Sequence, residues 1–178
     1  FSWDGVVEVY SNNGRLFSIS SATGGAQELR YDLSVGDGGD GNPDTLDVVM
    51  DLSSGRSLRF SYHPNGLVAH IVDSAGLSIA YGYDHLRNLV TVTYPDARVK
   101  TYHYNEPAML ASVSMPHALT GVTDESGVRY SVYRYDALGR AVGTEHVGGV
   151  DKFSVNYDGD GVSSVVVDPV GASRIYGF

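Results

Sequence analysis

The stretch Ile79-Ala80-Tyr81-Gly82-Tyr83-Asp84, continued by His85-Leu86-Arg87-Asn88-Leu89-Val90-Thr91-Val92-Thr93-Tyr94, decides the fold. Two aromatics at i and i+2 share one face of a strand, because successive side chains alternate. On a helix they would point about 200° apart. Asp84 then opens a turn by bonding its own downstream backbone. The valine–threonine alternation that follows is a second strand, stopped at Pro95-Asp96.

The same pattern recurs outward in both directions. Tyr62 lies 21 residues before Tyr83 and Tyr104 lies 21 after it. Tyr10 and Tyr31, and likewise Tyr157 and Phe178, are 21 apart, while Tyr135 and Tyr157 are 22 apart. Two gaps, Tyr31 to Tyr62 and Tyr104 to Tyr135, are 31 residues each and hold insertions. Two residues before the phased position stand further tyrosines, Tyr81, Tyr102, Tyr133 and Tyr176. Asp84 and Asp136 follow it directly, and Gly14, Gly66, Gly139 and Gly161 come four residues after it. A second turn signal, Asp-x-x-Gly, precedes it at Asp73, Asp124 and Asp168.

One period is therefore two strands and two turns. Strands of roughly 5–6 residues and loops of about 2–5 fill it. Asp84 and Asp136 initiate turns, and the glycines supply the positive φ that such turns need. Arg87 and Ala108 stand where that glycine is missing, so a different turn is expected at both. A lone hairpin is marginal in water, so neighbouring hairpins must supply burial and ladder hydrogen bonds. The expected fold is all-β: antiparallel hairpin repeats in a curved open sheet, with little or no helix. The phased rings are the expected packing residues, namely Tyr10, Tyr31, Tyr62, Tyr81, Tyr83, Tyr102, Tyr104, Tyr133, Tyr135, Tyr157, Tyr176 and Phe178.

The chain reads as one repeat domain over residues 1–178, with an acidic glycine-rich insertion at 36–51 and a second insertion at about 107–124. It begins and ends in mid-period, which reads as a fragment of something longer whose sheet edges are free to self-associate. A net charge of −9 argues against a nucleic-acid partner, whose phosphates need a basic face. No apolar run is long enough for a membrane-spanning helix. With no cysteine there are no disulfides and no thiolate metal sites.

These residues resemble the RHS (rearrangement hotspot), or YD-repeat, family. Its pattern is an aromatic, any residue, Tyr-Asp, two residues, then Gly-Arg-Leu. Here it reads Tyr133-Arg134-Tyr135-Asp136-Ala137-Leu138-Gly139-Arg140, with a second copy at Tyr10-Ser11-Asn12-Asn13-Gly14-Arg15-Leu16. Tyr81 to Leu89 is a third copy with the glycine lost. Pro116-His117-Ala118-Leu119-Thr120-Gly121-Val122-Thr123-Asp124 is similar to a linking segment of bacterial members. The resemblance implies an arc of a β-shell that, in bacterial toxins, encloses a C-terminal effector. It implies a secreted or cell-surface parent, with other YD repeats and an enclosed toxin domain as partners. The alternative is a wall-associated adhesion or carbohydrate-binding module, since an aromatic sheet face can also stack sugar rings.

Asp40, Asn42 and Asp44 have the alternating oxygen spacing of a calcium loop. Thr45 and Asp51 depart from the EF-hand pattern, so an extended acidic connection is the favoured reading, and no other cofactor is expected. Asp168-Pro169-Val170-Gly171 resembles the autocleavage site that ends bacterial RHS cores, yet it is in phase with the turns at Asp73 and Asp124. Gly76-Leu77-Ser78-Ile79-Ala80 is near a nucleophile elbow but lacks the helix that motif requires. No nucleophile–base pair or phosphate loop stands out, and no catalytic residue is assigned. The chain is not expected to be an enzyme.

Overall fold

The structure is a computed structural model that describes residues 2–3, 5–31, 45–159 and 161–177. The chain divides into two compact units, Phe1–Tyr81 and Gly82–Phe178. The first holds β1 (Ser2–Trp3), β2 (Val6–Tyr10), β3 (Leu16–Ser21), β4 (Ala26–Tyr31), β5 (Leu46–Asp51), β6 (Ser57–Tyr62), β7 (Val68–Asp73) and most of β8 (Ser78–Tyr83). From β1 to β8 each strand pairs antiparallel with the next. The second holds β9 (Leu89–Thr93), β10 (Val99–Tyr104), β11 (Leu119–Thr123), β12 (Arg129–Tyr135), β13 (Ala141–His146), β14 (Phe153–Tyr157), β15 (Ser163–Val167) and β16 (Ser173–Gly177), paired in the same way. Among the described residues the only helix is two single 3₁₀ turns, Pro107–Met109 and Val147–Gly149. The chain is thus the all-β, antiparallel hairpin repeat that the sequence pattern implies.

Few side chains are fully buried. Among the described residues the apolar ones are Val48, Ala69, Val92, Leu110 and Val122. Rows across the strands do the packing instead. Phe60 stands opposite Ile71, which stands opposite Ile79. Val122 faces Tyr102 on one side and the buried Ser131 on the other. Directly opposed pairs of this kind are the unit of sheet stabilisation.

The hairpins close through one repeated turn. At Asp136 the backbone N–H donates to the Arg140 carbonyl at 3.0 Å, and Gly139 N–H returns to the Asp136 carbonyl at 3.0 Å. The Asp136 carboxylate accepts from the N–H groups of Leu138 and Arg140, both at 2.9 Å. Gly139 takes φ 78°, which costs a glycine nothing. Asp73, Asp124 and Asp168 build the same turn at the other end of their hairpins. Asp168-Pro169-Val170-Gly171 is accordingly an ordinary repeat turn between β15 and β16.

Three sequence expectations change. The turn at Arg87 does not differ: Asp84 N–H donates to Asn88 O, and Arg87 N–H to Asp84 O, both at 3.0 Å. Arg87 simply adopts φ 69°. The Asp84 carboxylate, which accepts from Leu86 and Asn88 N–H at 2.9 Å, holds the turn against that strain. Ala108, by contrast, lies in a 3₁₀ turn, as a different local structure requires. Both insertions are also narrower than read. Leu46–Asp51 is β5 and Leu119–Thr123 is β11, because both segments continue the ladder on each side.

Arg87 and Ala97 both occupy the left-handed region, at φ 69° and 64°. Arg87→Gly and Ala97→Gly should each raise the unfolding free energy by about 0.5–1 kcal/mol. That is a roughly 1–2 kcal/mol left-handed penalty, less glycine's greater entropy in the unfolded chain. Urea denaturation measures it; a loss of stability would mean the side chains contribute more than the strain costs.

Candidate functional site: the tyrosine bridges

The pairing register slips just before the phased tyrosine in five repeats, at Tyr10, Tyr31, Tyr62, Tyr104 and Tyr135. A bulge of this kind re-aims the side chain that follows it. On the other side of the same strand the ladder stops early. β3 and β4 pair only from Ser18 onward, leaving Leu16 beyond the last rung. Leu46, Leu89, Leu119 and Ala141 are left in the same way at the open ends of their hairpins.

The tyrosine hydroxyl fills that gap. Tyr31 donates to Leu16 O at 3.1 Å, and Tyr62 to Leu46 O at 2.6 Å. Tyr104 donates to Leu89 O at 3.1 Å, Tyr135 to Leu119 O at 2.9 Å and Tyr157 to Ala141 O at 3.0 Å. A backbone carbonyl with no ladder partner costs free energy, and a side-chain donor reaching across restores it. Tyr10 differs: it is 47% exposed and donates to the Glu8 carboxylate.

The arginine of the motif lies against the same rings. The Arg140 guanidinium sits 4.2 Å from the centroid of Tyr157, and that of Arg15 sits 5.6 Å from Tyr31. Arg140 is held in place by Asp136, Nε to Oδ2 at 2.7 Å. Desolvation raises the Asp136 carboxyl, but the backbone N–H of Arg140, its guanidinium and the Leu138 N–H together outweigh this and leave it below the ordinary value. Tyr-Asp-x-x-Gly-Arg is thus one device: aspartate sets the turn and the arginine, and the arginine supports the next tyrosine. The rings themselves meet other groups. Phe17 meets Tyr31 edge-on at 6.4 Å, and Tyr133 accepts a hydrogen bond from Ser131. Tyr81 and Tyr102 are half-buried within their strands, and Tyr176 is exposed on β16.

Two polar networks pin the second insertion. Asn88, buried, stands where the motif has arginine. Its amide donates to Asp84 Oδ2 and to Pro116 O, both at 2.9 Å, and its oxygen lies 2.7 Å from His117 Nδ1. Glu106 accepts from Thr120 at 2.6 Å and from two nitrogens of Arg129, the nearer at 2.5 Å. The guanidinium lies flat on Gly121, where a Cβ would come within 2.0 Å of Arg129 Nη2. Arg129 first, then Thr120, holds the Glu106 carboxyl below its ordinary range, against partial burial. Burial, then the charge of Arg129, pushes His103 down, and its Nε2 meets Thr123 Oγ1 at 2.7 Å.

The candidate calcium ligands Asp40, Asn42 and Asp44 lie outside the described residues, as does Phe178. Among the described residues no group of three or more His, Asp or Glu side chains is placed to hold a metal ion. Among the described residues no helix is long and apolar enough to cross a membrane.

Fold and bridges together define a β-hairpin repeat in which one recurring geometry joins the strands. Residues 62–99 match the RHS Repeat family, so the resemblance read from the sequence holds over that stretch. No curated protein matches the chain. Among solved structures it is similar to that of TcdB2-TccC3-Cdc42, with a TM-score of 0.59 at 14% identity over 97% of this chain and 10% of that one. It is likewise similar to TcdB2-TccC3 without its hypervariable C-terminal region, with a TM-score of 0.59 at 13% identity over 97% and 9%. The Photorhabdus luminescens Tc holotoxin pore gives 0.58 at 13% identity, again over 97% and 9%. At these identities the likeness is one of fold, and the chain spans about a tenth of the length of those proteins.

Tyr135→Phe and Tyr104→Phe should each cost about 0.5–1.5 kcal/mol, the net value of the lost hydrogen bond. Tyr10→Phe should stay within about 0.5 kcal/mol, as exposed substitutions do. Equal losses at all three positions in urea melts would show that the hydroxyl–carbonyl bridge carries no stability.

Acid should weaken the second unit in two steps. His103 titrates lower in the fold than its ordinary 6.5, so its contribution is lost as pH falls below that value. Glu106 is likewise depressed from 4.5, and its contribution goes as pH falls further. Glu106→Gln should cost about 1–2 kcal/mol at neutral pH, since a third of each partner side chain is still solvated. The gap to the parent should close in acid; a gap independent of pH from unfolding curves would remove Glu106 as the titrating group.

Proposed function

We propose that this chain is a structural wall segment of a larger RHS-type protein whose β-shell encloses a C-terminal toxin or effector domain. The observation that carries this reading is the repetition of one strand-joining contact, tyrosine hydroxyl to unpaired carbonyl, from Tyr31 to Tyr157. The contact commits the hydroxyls of Tyr31, Tyr62, Tyr104, Tyr135 and Tyr157 to joining strands. The RHS match at residues 62–99 and the fold likeness to Tc toxin structures support it. On this reading the partners are the other YD repeats of the parent and the enclosed domain, the parent is secreted or displayed at the cell surface, and no residue has a catalytic role. Standing apart from further repeats, the chain self-associates through the edges at β1 and β16.

Limited proteolysis of the parent protein tests the enclosure. The C-terminal domain should resist protease in the intact protein and be cut at least about tenfold faster when Tyr104 and Tyr135 are both changed to alanine, a loosening of roughly 1.4 kcal/mol or more. A C-terminal domain degraded at the same rate in both proteins would overturn it.

A further inference from the structure

The inserted segment between β10 and β11 carries a concavity that the tyrosine bridges do not use. It measures about 330 Å³ and is lined by Asn105, Pro107, Leu110, Ser112, Val113 and Ser114. That is the small end of the roughly 300–1,000 Å³ of ligand sites. Every lining residue comes from the same short stretch of chain, so the insertion itself shapes the surface.

The stretch is anchored at both ends. Leu110 is buried and forms a parallel bridge with Tyr135. Asn105 closes the other side: its Oδ1 accepts from Met115 N–H at 2.7 Å, and its N–H donates to Ala118 O at 3.2 Å. Between these anchors Ala111, Ser112, Val113 and Ser114 are all exposed. Ser112 sits at φ 62°, in the left-handed region. A serine there costs free energy, and it persists only where the surroundings over-determine the backbone. An exposed surface fixed in this way is ordered before any partner arrives, which lowers the entropy cost of binding.

Its chemistry restricts the partner. From Pro107 to Pro116 there is no charged residue, in a chain whose net charge is −9. The ionisable residues that flank this run are engaged elsewhere, Glu106 by Arg129 and Thr120, and His117 by Asn88. Pro107, Leu110 and Val113 give the concavity an apolar lining, and Val113 is 40% exposed. The N–H and C=O of Val113 and the hydroxyl of Ser112 meet no partner among the described residues. A charged partner would lose hydration here with no opposite charge to meet. A purely apolar one would cover the Val113 backbone groups and leave them unpaired. An uncharged polypeptide segment satisfies both conditions. Its amides can bond the Val113 backbone and the Ser112 hydroxyl, and side chains of alanine or valine size suit so small a volume.

We propose that the concavity at Leu110, Ser112 and Val113 is a docking site for an uncharged segment of another polypeptide, which places a small aliphatic side chain beside Val113 and hydrogen-bonds its backbone to that of Val113. The site is independent of the enclosure reading.

Nuclear magnetic resonance titration of the isotope-labelled 178-residue chain with acetyl-Thr-Val-Ala-Val-Thr-amide tests this. The peptide should give saturable shifts centred on Leu110, Ser112, Val113 and Ser114. Replacing its central alanine by lysine or by aspartate should weaken binding at least about tenfold, since the charge is desolvated without a partner. Methylating its central amide nitrogens should weaken it about two- to tenfold, the worth of a hydrogen bond. Val113→Asp, at an exposed side chain, should weaken the parent peptide at least about tenfold with the thermal melt unchanged. No saturable shift, shifts centred elsewhere, or equal affinity for the charged or methylated peptides would overturn the proposal, as would unchanged affinity in Val113→Asp. Shifts at the same residues on diluting the chain alone would assign the surface to a second copy instead, and would overturn it too.

Discussion

The structure depends on how its short hairpins are closed at the end away from the turn. In five of them the backbone ladder stops before the strands end, and the carbonyl that opens the odd-numbered strand has no rung to join. A tyrosine hydroxyl supplies the missing donor at Leu16, Leu46, Leu89, Leu119 and Ala141. The bulge just before most of these tyrosines turns the ring out of the strand's own register and toward that carbonyl. A side chain therefore does a backbone group's work, and it does so at five phased tyrosines among the described residues. This explains why the phased position is tyrosine and not phenylalanine in most copies. A ring alone would provide area, but the orphaned carbonyl needs a proton donor.

The other letters of the motif follow from the same constraint. The tyrosine must be approached by a chain that reverses within four residues, and aspartate achieves this with its backbone and its carboxylate together. Where the next residues allow it, the same carboxylate holds an arginine against the following tyrosine, as Asp136 does with Arg140 and Tyr157. The left-handed residue of the turn is more replaceable than its usual glycine suggests. Arg87 and Ala97 occupy it because the hydrogen bonds around them over-determine the backbone.

The two polar networks show how a repeat array tolerates an insertion. Residues between β10 and β11 are irregular, yet Asn88, Pro116 and His117 tie one end to the β8–β9 turn. Glu106, Thr120 and Arg129 tie the other to β11 and β12. The β8–β9 turn, which the inserted segment packs on, has Arg87-Asn88 where the copies at Gly14 and Gly139 have Gly-Arg. An arginine there would support a ring, whereas a short amide reaches a carbonyl and an imidazole in the inserted segment. In sequence this looks like decay of the motif; in space it is a substitution of one partner for another.

The fold class, the strand count per period, the turn positions and the aromatic face were all legible in the chain, because each follows from local periodicity: two residues per strand step, and glycine or aspartate at fixed offsets. The sequence also marked the phased tyrosine positions. What they touch was beyond it, since the spacing from Tyr135 to Leu119 means nothing until the register slip at Arg134 and Tyr135 aims one at the other. The partners of Asn88 and Glu106 were likewise decided in three dimensions. Each depends on pairing between segments far apart in the chain, and local pattern carries no information about which distant backbone group is left without a partner.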